Sequence, residues 1–258
     1  MSLKIVLIGA GNAGYHLGRH LAARGELLQV FSRTTEKAQR LSKLTGAPFT
    51  TSLDEIIPDA DVYLLAIHDD GIAGVAGKLC QTGCGEKLVC HTSGATPMAV
   101  FAKTGLKRFG VFYPLQTFSV ARQPDFTQIP FIIEANNARD VKLLDELAGL
   151  FSQKIYHLND EKRAALHVAA VFVNNFTNHL FHVGKTILKH ESLPFDLLLP
   201  LIRETGDKII LADPHSVQTG PAKRGDFKTI TRHLNYLKQF PELRDLYDIL
   251  TKSIQRTI

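Results

Sequence analysis

Apolar and polar positions along this chain change period several times. Lys4–Ile8 is a short apolar run rich in β-branched residues and predicts a strand, whereas Ala13–Ala23 repeats its apolar positions at helical spacing. The alternation continues with a strand at Leu27–Phe31, a helix at Thr35–Leu44 and a short strand at Phe49–Thr51. Asp61–Ile67 is apolar on both faces, as a central parallel strand is. Lys87–Cys90 follows as a strand, with a helix expected from about Thr96. Strands at Phe109–Phe112 and Pro130–Glu134, a helix at Asn137–Phe151 and a strand at Ile155–Leu158 complete the pattern. A βαβα order of this kind predicts a parallel sheet with helices on both faces.

After Asn159 strand signals vanish. Glu161 to about His190 holds no proline and one glycine, Gly184, and helices are expected there and at Phe195–Ala212, Asp226–Gln239 and Glu242–Ile254. The fold class is therefore α/β, a Rossmann-type doubly wound parallel sheet followed by an all-α domain. The boundary is placed between residues 158 and 159, giving a nucleotide-binding domain at 1–158 and a helical substrate or dimerisation domain at 159–258.

Composition narrows the function. At 258 residues the chain is long enough for two cores. No apolar run approaches a membrane span, and the opening MSLKIVLIGAGNAG reads as a strand and turn, not as a leader; a cytoplasmic protein without membrane contact is expected. The net charge of +5 could suit nucleic acid, but no Lys/Arg run exceeds two, so nucleic acid is not expected as a partner. Cys80, Cys84, Cys90 and His91 have a loose spacing for zinc, and no metal site is expected.

Gly9-Ala10-Gly11-Asn12-Ala13-Gly14 matches GxGxxG, follows the first strand and opens the first helix, the context that gives this motif meaning. Gly9 suits the tight turn, Gly11 the approach of a pyrophosphate, and Gly14 the packing of helix on strand. The helix N-terminus then presents free N–H groups to phosphate. At the tip of the second strand, where an NAD site carries a carboxylate for the ribose, stand Ser32-Arg33-Thr34. Arg33 can pair with a 2′-phosphate and Ser32 and Thr34 can donate to it, so the expected cofactor is NADP. Ala66-Ile67-His68 follows the fourth predicted strand at the edge where such sheets bind ligands. Asp69 or Asp70 beyond it either caps the next helix or takes part in chemistry. Ser93 and Gly94, after the fifth strand, either face nicotinamide and substrate or form a plain turn.

With these loops placed, the chain resembles the 6-phosphogluconate dehydrogenase-like oxidoreductases, which include pyrroline-carboxylate reductases, β-hydroxyacid dehydrogenases and deazaflavin-dependent NADP reductases. It is most similar to a bacterial family with a Rossmann-like domain and a helical domain of unassigned function. The stretches that carry the likeness are LIGAGNAGYHLG at 7–18, HTSGA at 91–95, YPLQTF at 113–118 and TGPAKRGD at 219–226. The resemblance implies NADP binding and a homodimer made through the helical domain. It supplies no substrate. β-Hydroxyacid dehydrogenases carry a lysine four residues before an asparagine on the first long helix of the second domain; here Ala170, Val171 or Asn174 falls at that position, depending on whether Asn174, Asn175 or Asn178 is matched.

In place of that lysine, the helix at Ala164–Val173 is apolar nearly all round and is expected to be buried, with His167 standing out. At 100° per residue Asn174, Asn178 and Lys185 fall within roughly 20° of His167. This line either faces the nicotinamide, with His167 as proton donor and the asparagines as orienters, or hydrogen-bonds across helices or a dimer seam. Tyr113 and Gln116 are candidates for the cleft wall, where they could orient a substrate; the alternative for Tyr113 is a side chain packed in the core. Asp226 can cap the helix that follows it, while Arg224 either binds an anionic substrate or a partner subunit, or lies in solvent. The expected function is an NADP-dependent oxidoreductase acting on a small-molecule carbonyl or imine; the rival is an NADP-binding sensor without turnover.

Overall fold

The computed structural model describes residues 3–257, so the outer limits of the two expected domains lie outside the described residues. The chain forms two compact units, one ending at Asn174 and the other starting at Asn175. That division falls within the long helical stretch, whereas the expected boundary falls just past the last strand.

The first unit is built on an eight-stranded sheet in the order β3-β2-β1-β4-β5-β6-β7-β8. Its strands are β1 (Ile5–Ile8), β2 (Leu27–Phe31), β3 (Phe49–Thr50), β4 (Val62–Leu65), β5 (Leu88–His91), β6 (Arg108–Pro114), β7 (Phe131–Ala135) and β8 (Ile155–His157). Helices α1 (Asn12–Ala22), α2 (Thr35–Thr45), α3 (Ile72–Leu79), α4 (Ala138–Gly149) and α5 (Asp160–Ala170) belong to the same unit. In β1, Ile5 and Leu7 turn to one face and Val6 and Ile8 to the other, as the period of two requires, and all four are buried. The first face packs on Leu17 and Leu21 of α1, Leu41 of α2 and Leu144 and Leu147 of α4; the second packs on Ile72, Ala76 and Leu79 of α3. Two covered faces explain why β1, β4 and β5 read as unbroken apolar runs.

The mainly parallel sheet expected from the sequence is present, with one reversal toward its edge, and one expected helix is corrected. β7 runs antiparallel to β6, and β8 runs with β7. The link between β6 and β7 has no crossover helix, only a 3-10 turn at Phe126–Gln128, and a strand returning without a crossover lies antiparallel. The helix expected from Thr96 is a short 3-10 turn, Met98–Phe101. Its start is claimed by tertiary contacts: the Thr96 carbonyl accepts from Arg163 and the Met98 amide donates to Asp160, both on α5.

The second unit is helical: α6 (Thr177–His190), α7 (Leu199–Leu211), α8 (Pro221–Arg224), α9 (Phe227–Tyr236) and α10 (Pro241–Arg256). The expected helix from Phe195 begins as a 3-10 turn, Phe195–Leu198. Asp226 caps α9, its carboxylate accepting from the Thr229 amide at 3.0 Å. Among the described residues of this unit only Ala222, Ile230, Leu237 and Thr251 are buried.

The expected burial of Ala164–Val173 is not met within one chain. Val168, Phe172 and Val173 are 57%, 62% and 75% exposed. The helical line is also altered, because Val171–Phe176 winds as a π-helix between α5 and α6. A π turn advances through fewer degrees per residue, so the α-helical projection that aligns Asn174 and Asn178 with His167 does not carry across it.

Candidate functional site

The first unit opens a cavity of about 960 Å³ at the carboxyl ends of β1, β2 and β4. Gly9, Ala10, Gly11, Asn12 and Ala13 form one wall, Ser32, Arg33 and Thr34 another, and Ala66, Ile67 and His68 a third. The glycine motif explains itself sterically. Gly9 has φ +114°, and a Cβ there would lie 2.1 Å from the Ala66 carbonyl oxygen. Gly14 lies behind the wall, where a Cβ would meet the Gly9 carbonyl oxygen at 2.0 Å. At Gly11 a Cβ would meet nothing within 4 Å, so the chain turns a bare backbone toward open space. Gly11 caps α1 without a side-chain hydrogen bond, and the first turn of α1 carries no acidic residue. The amides of that turn therefore face the cavity with the positive end of the helix dipole behind them, which is the donor set that a pyrophosphate requires.

The tip of β2 is cationic. Ser32 Oγ accepts from the Thr34 amide at 3.2 Å, fixing the turn from which Arg33 projects. Lys37, one turn into α2, lines the cavity with Arg33. Lys37 was legible as a cation in the first turn of the predicted helix, three residues past the Ser32–Thr34 tip. Asp70, singled out above as a cap or a participant in chemistry, also lines the cavity, while Thr51, Leu53, Val75 and Thr92 line it and were not picked out by sequence reasoning, because they come from separate segments that only the sheet brings together. These residues fit a dinucleotide phosphorylated at the 2′ position: apolar walls, a glycine turn for the pyrophosphate and two cations with no carboxylate at the tip of β2.

A second constellation stands next to Thr92. Ser93 Oγ donates to Asp69 Oδ2 at 2.8 Å, and neither Asp69 nor Asp70 caps α3, whose N-cap Gly71 has no side-chain bond. The Ser93 amide donates to His91 Nδ1 at 3.2 Å, which places the His91 proton on Nε2. His91 is buried in β5 against Phe101, and Nε2 has no hydrogen-bond partner among the described residues. Burial, with the Arg163 charge adding to it, pushes its pKa down to about 4, so this imidazole is neutral at physiological pH. Gly94 is wedged: a Cβ would lie 2.6 Å from His167 Nδ1 and 2.6 Å from Tyr113 Cζ. Tyr113, at the end of β6, is buried, which raises the pKa of its phenol. Its Oη and His167 Nδ1 are 3.3 Å apart. The structure thus gathers Ser93, Gly94, Tyr113 and His167. Gln116 is exposed and accepts from the Thr117 amide at 2.8 Å. Asn174 lies in the π turn and Asn178 on α6, while Arg224 is exposed at the end of α8.

α5 is tied down by charge. Arg163, 1% exposed, donates from Nη1 to Glu134 Oε2 at 2.8 Å and from Nη2 to the Thr96 carbonyl at 2.8 Å, and pairs with Asp160. Burial opposes ionisation of Asp160, but the Met98 amide and the Arg163 guanidinium outweigh it and hold its pKa below the usual value. Burial dominates at Glu134 and raises its pKa in spite of Arg163. Among the described residues no cluster of His, Cys, Asp and Glu suits a metal ion, and no helix is long and apolar enough to cross a membrane.

Two family models match the chain: "NADP oxidoreductase coenzyme F420-dependent" over residues 4–93 and "Domain of unknown function (DUF2520)" over residues 129–254. A solved structure from Bacteroides fragilis, described as a "putative NADP oxidoreductase", is 41% identical; the match covers 99% of this chain and 98% of that one, with a TM-score of 0.92. An imine reductase from Myxococcus stipitatus, solved with NADP+, is 16% identical over 98% of this chain and 93% of that one, with a TM-score of 0.67, a likeness of fold. The curated glutamyl-tRNA reductase 2 of Pyrobaculum arsenaticum is 38% identical over 72 residues, which make up 26% of this chain but only 18% of that relative's length.

Proposed function

The chain belongs to the same family as the Bacteroides fragilis protein, and from that membership we propose that it is an NADP-dependent oxidoreductase acting on a small carbonyl or imine compound. The observation that carries the reading is the cavity lined both by a bare glycine turn at a helix start without a side-chain cap and by the Arg33–Lys37 pair. Gly9 to Ala13 would hold the pyrophosphate through backbone amides. Ser32, Arg33, Thr34 and Lys37 would take the 2′-phosphate, and Ala66, Ile67 and His68 would line the path toward Ser93 and Gly94.

NADP supplies the hydride chemistry, and the protein contributes placement and a proton. His167 is the proposed proton donor. Its Nδ1 is engaged with the Tyr113 phenol, which leaves Nε2 to deliver a proton to the oxygen or nitrogen of the reduced substrate. Tyr113 holds the ring, and burial keeps its own proton in place. Asn174 and Asn178 remain candidates for orienting the substrate, and Arg224 for holding an anionic one. One observation favours the sensor reading: no lysine occupies the position at which β-hydroxyacid dehydrogenases carry theirs. NADPH consumption with a panel of cyclic imines and keto acids separates the two. Turnover lost in His167→Gln with NADPH binding intact supports the enzyme, and tight NADPH binding with no turnover across the panel supports the sensor.

We also infer a homodimer made through the helical unit. Ile210 and Leu211 at the end of α7 are 80% and 86% exposed, and Leu197, Leu201, Phe227 and Ile249 are exposed in the same unit. Each such side chain gains about 1.5–3 kcal/mol when fully covered, and a second copy of the same surface would cover them.

A further inference from the structure

We propose that Arg163 is the positioning residue of the proton-donating pair, holding the helix that carries His167 and the loop that carries Ser93 and Gly94 in one fixed arrangement. The proposal rests on the reading of His167 given above. Arg163 is the largest fully buried side chain among the described residues, and its guanidinium joins three segments that are far apart in sequence. Nη1 reaches Glu134 on β7, and Nη2 reaches the Thr96 carbonyl in the loop after β5. Asp160, on the first turn of α5, pairs with the same guanidinium and accepts from the Met98 amide at 2.7 Å, so the loop is gripped at two backbone groups.

The two ends of this clamp are the two sides of the site. His167 lies four residues past Arg163, one helical turn along α5 on the same face. Gly94 lies two residues before Thr96, and it has no room for even one more carbon between His167 and Tyr113. A movement of α5 along or about its axis would either break the fork to Glu134 and Thr96 or drive His167 into Gly94. The planar guanidinium suits this task, since its donors are fixed in direction, whereas an ammonium on a flexible stem would keep the charge and lose the geometry. Burying one cation with two carboxylates is a poor way to gain stability, which leaves geometry as what the arrangement secures.

Arg163→Lys in the full chain tests this, read by the imidazole ¹⁵Nδ1 signal of His167, with Tyr113→Phe marking where that signal lies once the phenol contact is gone. We expect the signal in Arg163→Lys to move to the Tyr113→Phe position while NADPH affinity stays within about threefold of wild type, because the cavity wall contains no part of the clamp. A folded Arg163→Lys protein whose His167 signal stays at the wild-type position, with only a lowered melting temperature, would overturn the proposal and leave Arg163 a structural pair. Where Arg163→Lys does not fold, Glu134→Ala, which removes the acceptor of the Arg163 Nη1 bond, is read by the same two criteria. Failure of the wild-type chain to bind NADPH would overturn the functional reading alone, and the His167 signal would still decide the role of Arg163.

Discussion

The two units of this protein use apolar residues in opposite ways. In the first, strands and helices enclose their apolar side chains on both faces of a sheet, and Ile5 to Ile8, Val62 to Leu65 and Leu88 to Cys90 are all buried. In the second, helices with equally apolar stretches leave Leu201, Ile209, Ile210, Leu211 and Ile249 exposed. A sheet covered on both sides completes its own core. A few helices of the second unit's size leave such side chains in solvent, and a covering surface would gain most there. The first unit is accordingly the place to seek chemistry that one chain performs, and the second the place to seek assembly.

The largest effect expected from this contrast falls on cofactor binding. Gly14→Ala puts a carbon about 2.0 Å from the Gly9 carbonyl, so NADPH affinity measured by calorimetry should fall by at least about 100-fold, while the mass found by light scattering stays that of the wild type. Equal NADPH affinity in the variant would remove the glycine turn from the binding site. The converse experiment is Ile210→Asp with Leu211→Asp. On an exposed monomer surface such changes are worth within about 0.5 kcal/mol, but at a buried seam they should weaken association on the order of 100-fold without altering NADPH affinity. A wild-type chain that is monomeric at micromolar concentration would break the comparison at its second half.

A third test sharpens the first half through pH. His91 titrates near 4 in the folded protein and near 6.5 when unfolded, so the unfolded chain takes up its proton first. Stability from this group is complete above about pH 6.5 and falls as the pH drops toward 4, by up to about 3 kcal/mol. His91→Gln should flatten that part of the pH profile of chemical denaturation, and an unchanged slope would mean that the buried imidazole is not its source. The smallest effect belongs to the tip of β2. Arg33→Ala should narrow the preference for NADPH over NADH by about tenfold, and Lys37→Ala by a similar or smaller factor. Equal affinities for the two cofactors in the wild-type protein would count against the assignment of the tip.

How much of this was written in the sequence depends on the range of the interactions. The Rossmann order, the glycine turn, the cationic tip of β2 and the change to helices after residue 159 follow from period, spacing and short motifs, because neighbours a few residues apart dictate them. Where a contact crosses the chain, local pattern gave the wrong answer or none. The segment after Thr96 was expected to be a helix but forms a 3-10 turn, because Arg163 and Asp160 take its backbone groups. β7 reads as a strand but not as an antiparallel one, since direction depends on how the chain crosses the sheet. The line from His167 through Asn178 assumes an unbroken α-helix, and the π turn at Val171–Phe176 ends that assumption. What the sequence determined by itself is the kind of fold and the wall of the dinucleotide cavity, both set by residues close in the chain. What only the tertiary structure decided is the company of His167: Tyr113, Gly94 and, through α5, Arg163, which stand 54, 73 and 4 positions away and meet because the sheet and a buried guanidinium bring them together.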